Sequence, residues 1–133
     1  MAIILDTDVL IRGEKESFDV ERWLADRAGE MVEIAAISVA ELWHGVERAD
    51  TAHRFRREQY VRAALDALLV VPYTEAIAMQ HARLWAALES SGKMIGAHDL
   101  IIAATALERG STVATFNRRH FSQIKGLSVI QPR

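Results

Sequence analysis

The sequence of 133 residues contains no cysteine, which excludes disulfide bonds and thiolate metal sites. Only two prolines occur, Pro72 and Pro132, and the chain shows no low-complexity linker and no internal repeat. No apolar run approaches the roughly 18 residues that a membrane-spanning helix needs. The N-terminus also lacks the basic region and long apolar core of a signal peptide. These absences favour a cytoplasmic protein with no membrane partner.

The chain also lacks an excess of charge of either sign, since its formal net charge is −2 and its pI is about 6.2. Binding to nucleic acid would therefore depend on a local basic patch. Half of the residues are hydrophobic and 26% are charged, which is typical of a globular protein. The length fits one domain, residues 1–133, around a single core. The tryptophans expected to anchor this core are Trp23, Trp43 and Trp85.

Short apolar runs rich in β-branched residues alternate along the chain with longer helical patterns. The predicted strands are Ala2–Leu5, Glu33–Ile37, Leu69–Val71, Thr112–Thr115 and Leu127–Ile130. The predicted helices are Asp19–Arg27, Ser38–Arg48, Ala52–Leu68, Glu75–Glu89 and Ala97–Glu108. This alternation predicts an α/β protein in which βαβ units surround a mostly parallel sheet.

Two carboxylates interrupt the apolar start of the chain, in the segment IILDTDVLI. Asp6 follows the first predicted strand, and parallel sheets bind their ligands at the carboxyl ends of the strands. Three further polar residues occupy comparable places, with Glu41 and Asp99 near the starts of helices and Asn117 after a strand. If these strand ends are neighbours, the four side chains converge. Carboxylates held close together repel, and a hard divalent cation such as Mg²⁺ or Mn²⁺ relieves that repulsion.

Each of these residues also has a purely structural interpretation. Glu41 completes a capping box with Ser38, and Asp99 suits the positive end of a helix dipole. Residues 6–8 are compatible with a turn, because Asp and Thr side chains bond to nearby backbone, and Asn117 is a common turn residue. No single residue identifies a function. The specific signal is the set of four in this order and context.

Four segments carry a resemblance to a known family: ILDTDVLI, AAISVAELWHGV, GKMIGAHDLIIAATAL and TVATFNRRHFSQIKGLSV. They span nearly the whole chain and resemble, in order and spacing, the PIN-domain ribonucleases, specifically the VapC-type toxins of bacterial toxin–antitoxin pairs. The resemblance implies a three-layer α/β/α sandwich with a short, mostly parallel sheet. It implies an endoribonuclease that uses Mg²⁺ or Mn²⁺, with Asp6 and Asp99 as metal ligands. Glu41 would be a further ligand or a group that orients water.

Three positions depart from the family pattern. Asn117 stands where many members carry a fourth Asp; it is expected to orient water or substrate, and it puts a two-metal mechanism in doubt. His120 replaces an acidic residue that is common before the following Phe. Asp8 replaces a commoner Asn or Ser; it either adds charge near the metal or caps the next turn, and the turn role is favoured. Two threonines near the site have hydroxyls that suit either the site or nearby backbone: Thr7 and Thr115.

An acidic site that cleaves RNA needs cations around it. The candidates for contacts with RNA phosphates are Arg12, Lys93, Arg118 and Arg119. The arginines at residues 54–62 are expected to form a solvated helix face. The resemblance also implies a cognate VapB-like antitoxin, homodimers and a heteromeric toxin–antitoxin complex. The residues expected to line an antitoxin groove are Phe18, Trp23, Leu24 and Trp43.

Two other functions are compatible with the sequence. Residues 6–8 after a strand are similar to the nucleophile loop of HAD-type phosphatases, but Asp99 lacks an acidic neighbour and Leu10 replaces the Thr or Val of that loop. Alternatively, the chain is a non-catalytic PIN-like module that binds RNA or an antitoxin, with Asn117 marking a weakened site. Metal-dependent cleavage that is abolished by D6N or D99N distinguishes the ribonuclease from the binding module.

Overall fold

A computed structural model of the chain describes residues 2–133. Its five strands are β1 (Ala2–Leu5), β2 (Met31–Ala35), β3 (Leu69–Val71), β4 (Thr112–Ala114) and β5 (Val129–Ile130). Neighbouring strands are parallel throughout and follow the order β3-β2-β1-β4-β5, so β1 lies at the centre. The α/β class and the parallel sheet expected from the sequence are confirmed.

Seven helices connect these strands within residues 2–133. They are α1 (Thr7–Glu14), α2 (Val20–Ala25), α3 (Ala36–Arg48), α4 (Thr51–Asp66), α5 (Glu75–Ser91), α6 (Ala97–Arg109) and α7 (Arg118–Ser122). The five helices predicted from the sequence agree with these bounds to within two residues. None of the helices in this part of the chain has the length and hydrophobicity that crossing a bilayer requires.

Three parts of the sequence prediction are wrong. Residues 6–8 do not form a turn, because Thr7 begins α1, a short helix that buries Val9 and Leu10 in the core. The helix α7 has no counterpart in the prediction. The second strand lies two residues earlier than predicted, because its pairing with β1 sets the register. As a result α3 also begins two residues early, at Ala36.

Helices cover both faces of the sheet. Along β1, Ile3 and Leu5 belong to the core on one face and Ile4 to the core on the other, as the two-residue period of a strand requires. The first core is shared with α1 to α4, and the second with α5 to α7. The three-layer sandwich is therefore confirmed. Trp23 anchors the first core as expected, whereas Trp85 is 48% exposed, which contradicts its predicted core role.

One carboxylate lies inside the sheet. Glu33, in the middle of β2, has no exposed surface. Its carboxylate accepts hydrogen bonds from Nε of Arg109 at 2.6 Å and from the hydroxyl of Ser111 at 2.8 Å. Arg109 is the last residue of α6, and Ser111 immediately precedes β4. These partners offset the desolvation of the buried charge, so the strand tolerates a glutamate at its centre.

Candidate active site

The residues predicted to converge follow the carboxyl ends of three neighbouring strands. Asp6 follows β1, which pairs with β2 on one side and β4 on the other. The helix that carries Glu41 begins directly after β2, and Asn117 comes shortly after β4. Asp99 lies in the first turn of α6, and its charge acts on Asp6. The topology therefore brings all four predicted residues to one end of the sheet.

Asp6 is the N-cap residue of α1 and is only 5% exposed. Its side chain does not cap the helix. Instead Oδ2 accepts a hydrogen bond from Oγ1 of Thr115 at 2.7 Å, and that same hydroxyl oxygen accepts the backbone N–H of Asn117 at 2.8 Å. The Thr115 hydroxyl thus serves the site as well as the backbone. This chain of two hydrogen bonds holds one oxygen of Asp6 in place.

Asp8 lies inside the first turn of α1, so the turn role expected for it is wrong. Its Oδ1 faces the backbone N–H of Phe116 at 3.5 Å, which is a long contact. Burial raises the pKa of Asp8, although this N–H and the charge of Arg12 oppose the shift. Asp8 is therefore a second carboxylate whose charge acts on Asp6, which fits the other role considered for it, added charge at the site.

The pKa of Asp6 reflects the crowding of carboxylates at this end of the sheet. Burial is the largest cause and the charge of Asp8 is the next, and with the charges of Asp99 and Glu41 they raise this pKa to about 7. The hydrogen bond from Thr115 acts in the opposite direction. Among residues 2–133, no lysine or arginine forms an ion pair with Asp6. Within the described residues, the charge of Arg12 acts on Asp8, but Asp6 itself has no cationic partner.

Glu41 is held by a side chain of α1. The hydroxyl oxygen of Thr7 lies 2.6 Å from Oε1 of Glu41 and 2.8 Å from the hydroxyl oxygen of Ser38. A hydroxyl has one proton, so Thr7 donates to Glu41 and accepts from Ser38. The predicted capping box is wrong, because α3 begins before Ser38, which is buried and is not an N-cap. Glu41 therefore has no capping function that would explain its position.

Two histidines approach the carboxylates. Nδ1 of His98 lies 3.4 Å from Oε2 of Glu41, and Nδ1 of His120 lies 3.4 Å from Oδ2 of Asp99. His120 Nδ1 also lies 2.7 Å from the side-chain nitrogen of Asn117. Sequence reasoning identified His120 only as a departure from the family pattern and did not consider His98. The one available signal for His98 was its position next to Asp99.

The side chains gathered here suit a hard cation. Mg²⁺ and Mn²⁺ prefer oxygen ligands, and Mg²⁺ usually keeps several waters while binding through one or two carboxylates. Within residues 2–133, no three His, Cys, Asp or Glu side chains form a group compact enough to hold a metal ion by themselves. An ion bound here would therefore have few protein ligands and several waters. Asp6 and Asp99 form a carboxylate pair whose charges already interact.

Basic side chains flank the acidic cluster. The guanidinium carbon of Arg12 lies 4.4 Å from the centre of the Phe116 ring. Arg118 and Arg119 are exposed at the start of α7, immediately after Asn117. The arginines of α4 that form ion pairs with acidic side chains are Arg54, Arg57 and Arg62. These pairs fit the solvated helix face expected for residues 54–62.

A cavity of about 530 Å³ opens between α1, α2 and α4. Phe18 and Tyr60 line it together with Gly13 and Val20. The rest of the lining is charged or ionisable: Glu14, Glu16, Asp19, Glu21, His53, Arg56 and Arg57. Of the residues predicted for an antitoxin groove, Phe18 lines this cavity and Trp23 is buried in the core. The other two are partly buried against the same core: Leu24 and Trp43. The Phe18 ring is centred 5.1 Å from that of Phe116, which places the cavity close to the acidic cluster.

Known proteins with similar sequences show which family this chain belongs to. The sequence profile of the PIN domain matches residues 3–127. The chain is 36% identical over 137 aligned residues to the VapC ribonuclease Y4jK of Sinorhizobium fredii, covering 98% of this chain and 96% of the relative. It is 33% identical over 126 residues to ribonuclease VapC10 of Mycobacterium tuberculosis, with 94% and 90% covered.

Solved structures give the same result. A chain of VapBC2 from Rickettsia felis matches with a TM-score of 0.91 over 100% of both chains at 22% identity, which shows the shared fold. A chain of FitAcB from Neisseria gonorrhoeae matches with a TM-score of 0.79 at 29% identity over 96% of both chains. The profile covers nearly all of the sequence, and relatives above 30% identity cover most of it. The chain therefore belongs to the PIN-domain family, among the VapC ribonucleases.

Proposed function

We propose that this chain is a Mg²⁺- or Mn²⁺-dependent endoribonuclease that acts as the toxin of a toxin–antitoxin pair and cleaves structured RNA, either tRNA or rRNA. The observation that carries the proposal is the crowding of carboxylates around the buried Asp6: burial first, and then the charges of Asp8, Asp99 and Glu41, raise the pKa of Asp6 to about 7. Such a cluster destabilises the protein unless a cation compensates it. Relatives that are named ribonucleases support RNA as the substrate.

The residues at the site have separate roles in this proposal. Asp6 and Asp99 would hold the ion, with waters as its remaining ligands. When bound, the ion supplies charge neutralisation at the phosphodiester and a more acidic water. Thr115 fixes one oxygen of Asp6, and Glu41, fixed by Thr7, orients the attacking water and accepts its proton. Asn117 orients water or substrate without adding charge, which favours one ion over two.

The RNA would approach over the basic side chains beside the site. Arg12, Arg118 and Arg119 would contact phosphates, which makes binding dependent on salt concentration. Proteins recognise structured RNAs largely through their shape and through unstacked bases in loops. The half-buried Phe116, which lies under Arg12 and next to Asn117, is suitably placed beside such a base. These contacts would add to the charge neutralisation at the acidic cluster.

Cleavage of total bacterial RNA by the purified, antitoxin-free protein tests the activity. Reactions contain Mg²⁺, Mn²⁺ or EDTA, and the cut ends are mapped by sequencing. Discrete, metal-dependent cuts are expected from the wild type and from E108Q, a matched change at an exposed residue of the same helix, and are expected to be absent from D99N. A folded wild type that binds RNA but cuts nothing with either ion would instead support the non-catalytic binding module.

The antitoxin partner has support from solved relatives. Complexes named VapBC, from Rickettsia felis and Salmonella typhimurium, are among the structures that match this chain. In our proposal, a segment of a cognate VapB-like antitoxin occupies the cavity between α1, α2 and α4, with an apolar side chain on Phe18 and a basic one near Glu21. E21K should then release the nuclease from inhibition by the antitoxin, while E75K on α5 should not. Equal inhibition of both variants would place the antitoxin elsewhere.

A homodimer is part of the same proposal. Tyr73 and Trp85 are exposed and both contact His81, by a T-shaped contact and by ring stacking respectively. Tyr73 also lines an apolar cavity of about 280 Å³ with Ile37 and Ile101. An exposed apolar surface of this kind is typical of a protein interface. W85E should shift the mass measured by light scattering from dimer to monomer, and a dimer that persists would exclude this face.

A further inference from the structure

His120 occupies a position that the roles given to the acidic residues leave unexplained. It lies on α7, and its Nδ1 is 2.7 Å from the side-chain nitrogen of Asn117 and 3.4 Å from Oδ2 of Asp99. The His120 side chain is 44% exposed and that of Asp99 is 25% exposed, so an ion from solvent can reach the gap between them. The separation of 3.4 Å between the imidazole and the carboxylate is long for a direct hydrogen bond.

The contact with Asn117 determines which atoms face Asp99. An amide nitrogen donates, so Nδ1 of His120 accepts through its lone pair and the imidazole carries its proton on Nε2. Nδ1 then has no proton to share with Asp99, and the separation of 3.4 Å is one between two acceptors. Without an ion, the single lone pair of Nδ1 accepts from Asn117, and no hydrogen lies between Nδ1 and Oδ2 of Asp99. A cation next to Oδ2 would take that lone pair in place of the Asn117 N–H, so both the carboxylate oxygen and the nitrogen would contact the ion.

The width of the gap fits a small divalent ion. Ligands about 2.0–2.1 Å from an octahedral ion lie about 3 Å from their nearest neighbours, so side-chain shifts of a few tenths of an ångström bring both atoms within reach. We propose that His120 is a nitrogen ligand of the ion held by Asp99 and that it makes the site select Mn²⁺ over Mg²⁺. Imidazole suits first-row transition ions, whereas Mg²⁺ takes oxygen ligands. This inference rests on the proposed function for the presence of an ion at Asp99.

The chain offers two matched controls. Nδ1 of His98 lies 3.4 Å from Oε2 of Glu41, the same distance as in the pair formed by His120. His53 forms a pair with Asp50, at 2.7 Å, at the exposed start of α4. H98Q and H53Q each remove one imidazole next to a carboxylate and leave the contacts of His120 intact. Circular dichroism of all variants confirms that each has folded.

Pulsed electron paramagnetic resonance of Mn²⁺ bound to the purified full chain tests ligation directly. Nitrogen couplings to the bound ion are expected in the wild type, in H98Q and in H53Q. In H120Q the Mn²⁺ signal should remain and the nitrogen coupling should disappear. Bound Mn²⁺ without nitrogen coupling in the wild type overturns the proposal. So does a coupling that H98Q removes and H120Q retains.

Calorimetric titration with each ion alone tests the selectivity. H120Q should weaken Mn²⁺ binding on the order of tenfold and Mg²⁺ binding by less than about threefold. Equal weakening of both ions would mean that His120 only holds Asn117 and Asp99 in place, and would overturn the proposal. Neither measurement uses RNA. If Mn²⁺ shows nitrogen coupling but the protein cuts no RNA, the proposed nuclease activity is contradicted and this inference is not. If the protein cuts RNA but its ion has only oxygen ligands, this inference alone is contradicted. If no ion binds, both are contradicted.

Discussion

Glu33 and Asp6 are both buried carboxylates, but their surroundings are opposite. Glu33, inside β2, receives an ion pair and a hydrogen bond from Arg109 and a hydrogen bond from a hydroxyl. Asp6, which follows β1, accepts one hydrogen bond from a hydroxyl and is acted on by the charges of other carboxylates. Within residues 2–133, a cation pairs with Glu33 and none pairs with Asp6. Burial alone therefore does not make a carboxylate a sign of a functional site. It becomes one when the neighbouring groups are also negatively charged.

One helix takes part in both environments. α6 carries Asp99 in its first turn and Arg109 in its last. Each charge has the sign that the helix dipole favours at that end. The same helix thus adds an anion to the uncompensated cluster and a cation to the compensated pair. Variants at the two ends allow the two carboxylate environments to be tested separately.

Asp6→Asn should have the largest effect. Cleavage should fall by at least about 100-fold, because changes even in the outer shell of a metal site reduce activity by about 10- to 100-fold. The matched change at the compensated carboxylate, Glu33→Gln, should leave cleavage per folded molecule nearly unchanged. Initial rates on one mapped RNA, corrected for the folded fraction, check both. A comparable loss in the two variants would remove the distinction between the two environments.

Arg109→Met should produce the largest loss of stability. It leaves Glu33 charged, buried and without its cation, so the free energy of unfolding should fall by about 3 kcal/mol. Urea denaturation of this variant beside Arg12→Met, a change at an exposed arginine, provides the measurement and its control. A loss of about 1 kcal/mol or less, the range of surface ion pairs, would show that the pair does not compensate Glu33 as described.

The stability of the metal-free protein should depend on pH through Asp6. Its pKa is about 7 in the folded chain against an ordinary value of 3.8, so the folded state binds the proton more tightly. The free energy of unfolding should therefore decrease as pH rises from about 4 to about 7. D6N should remove most of this decrease. Above about pH 7, its free energy of unfolding should exceed that of the wild type by on the order of 2 kcal/mol. Denaturation in EDTA across this range checks the prediction, which an unchanged slope in D6N would contradict.

Thr115→Val should have the smallest of these effects. It removes the hydroxyl that donates to Asp6, so cleavage should fall by about tenfold, as for other groups that orient a metal ligand. Thr105→Val is the matched control, because this buried hydroxyl donates to the backbone oxygen of Ile101 at 2.8 Å. Both variants should lose about 1 kcal/mol of stability, and only T115V should lose activity. Equal activity of the two variants would show that Asp6 does not need this donor.

Local patterns in the sequence account for what was predicted correctly. β1 and β3 match their predicted bounds because each is an apolar run that ends at a local signal, Asp6 in one case and Pro72 in the other. The convergence of Asp6, Glu41 and Asp99 followed from placing polar residues at the ends of parallel strands. Such inferences need only neighbouring residues and a general rule about sheets.

Contacts between distant segments account for the rest. Glu33 marked the start of the predicted strand, but it lies in the middle of β2, where Arg109, 76 residues later in the sequence, compensates its charge. Ser38 was interpreted as a helix cap, but its hydroxyl bonds to Thr7, 31 residues earlier. Val9, within α1, belongs to a run typical of a strand, and tertiary burial favours the helix. None of these partners can be identified from spacing.

The acidic cluster is positioned by hydroxyl groups, and this has a consequence for engineering. Thr7 and Thr115 restrict the motion of Glu41 and Asp6 without bringing any positive charge. Both threonines are buried, so a lysine in either place would disturb the packing around the site. Its charge would also neutralise the carboxylates to which the proposed ion binds. Neutral hydroxyl donors therefore hold the carboxylates in place without reducing their affinity for a cation, whereas a charged donor would reduce it.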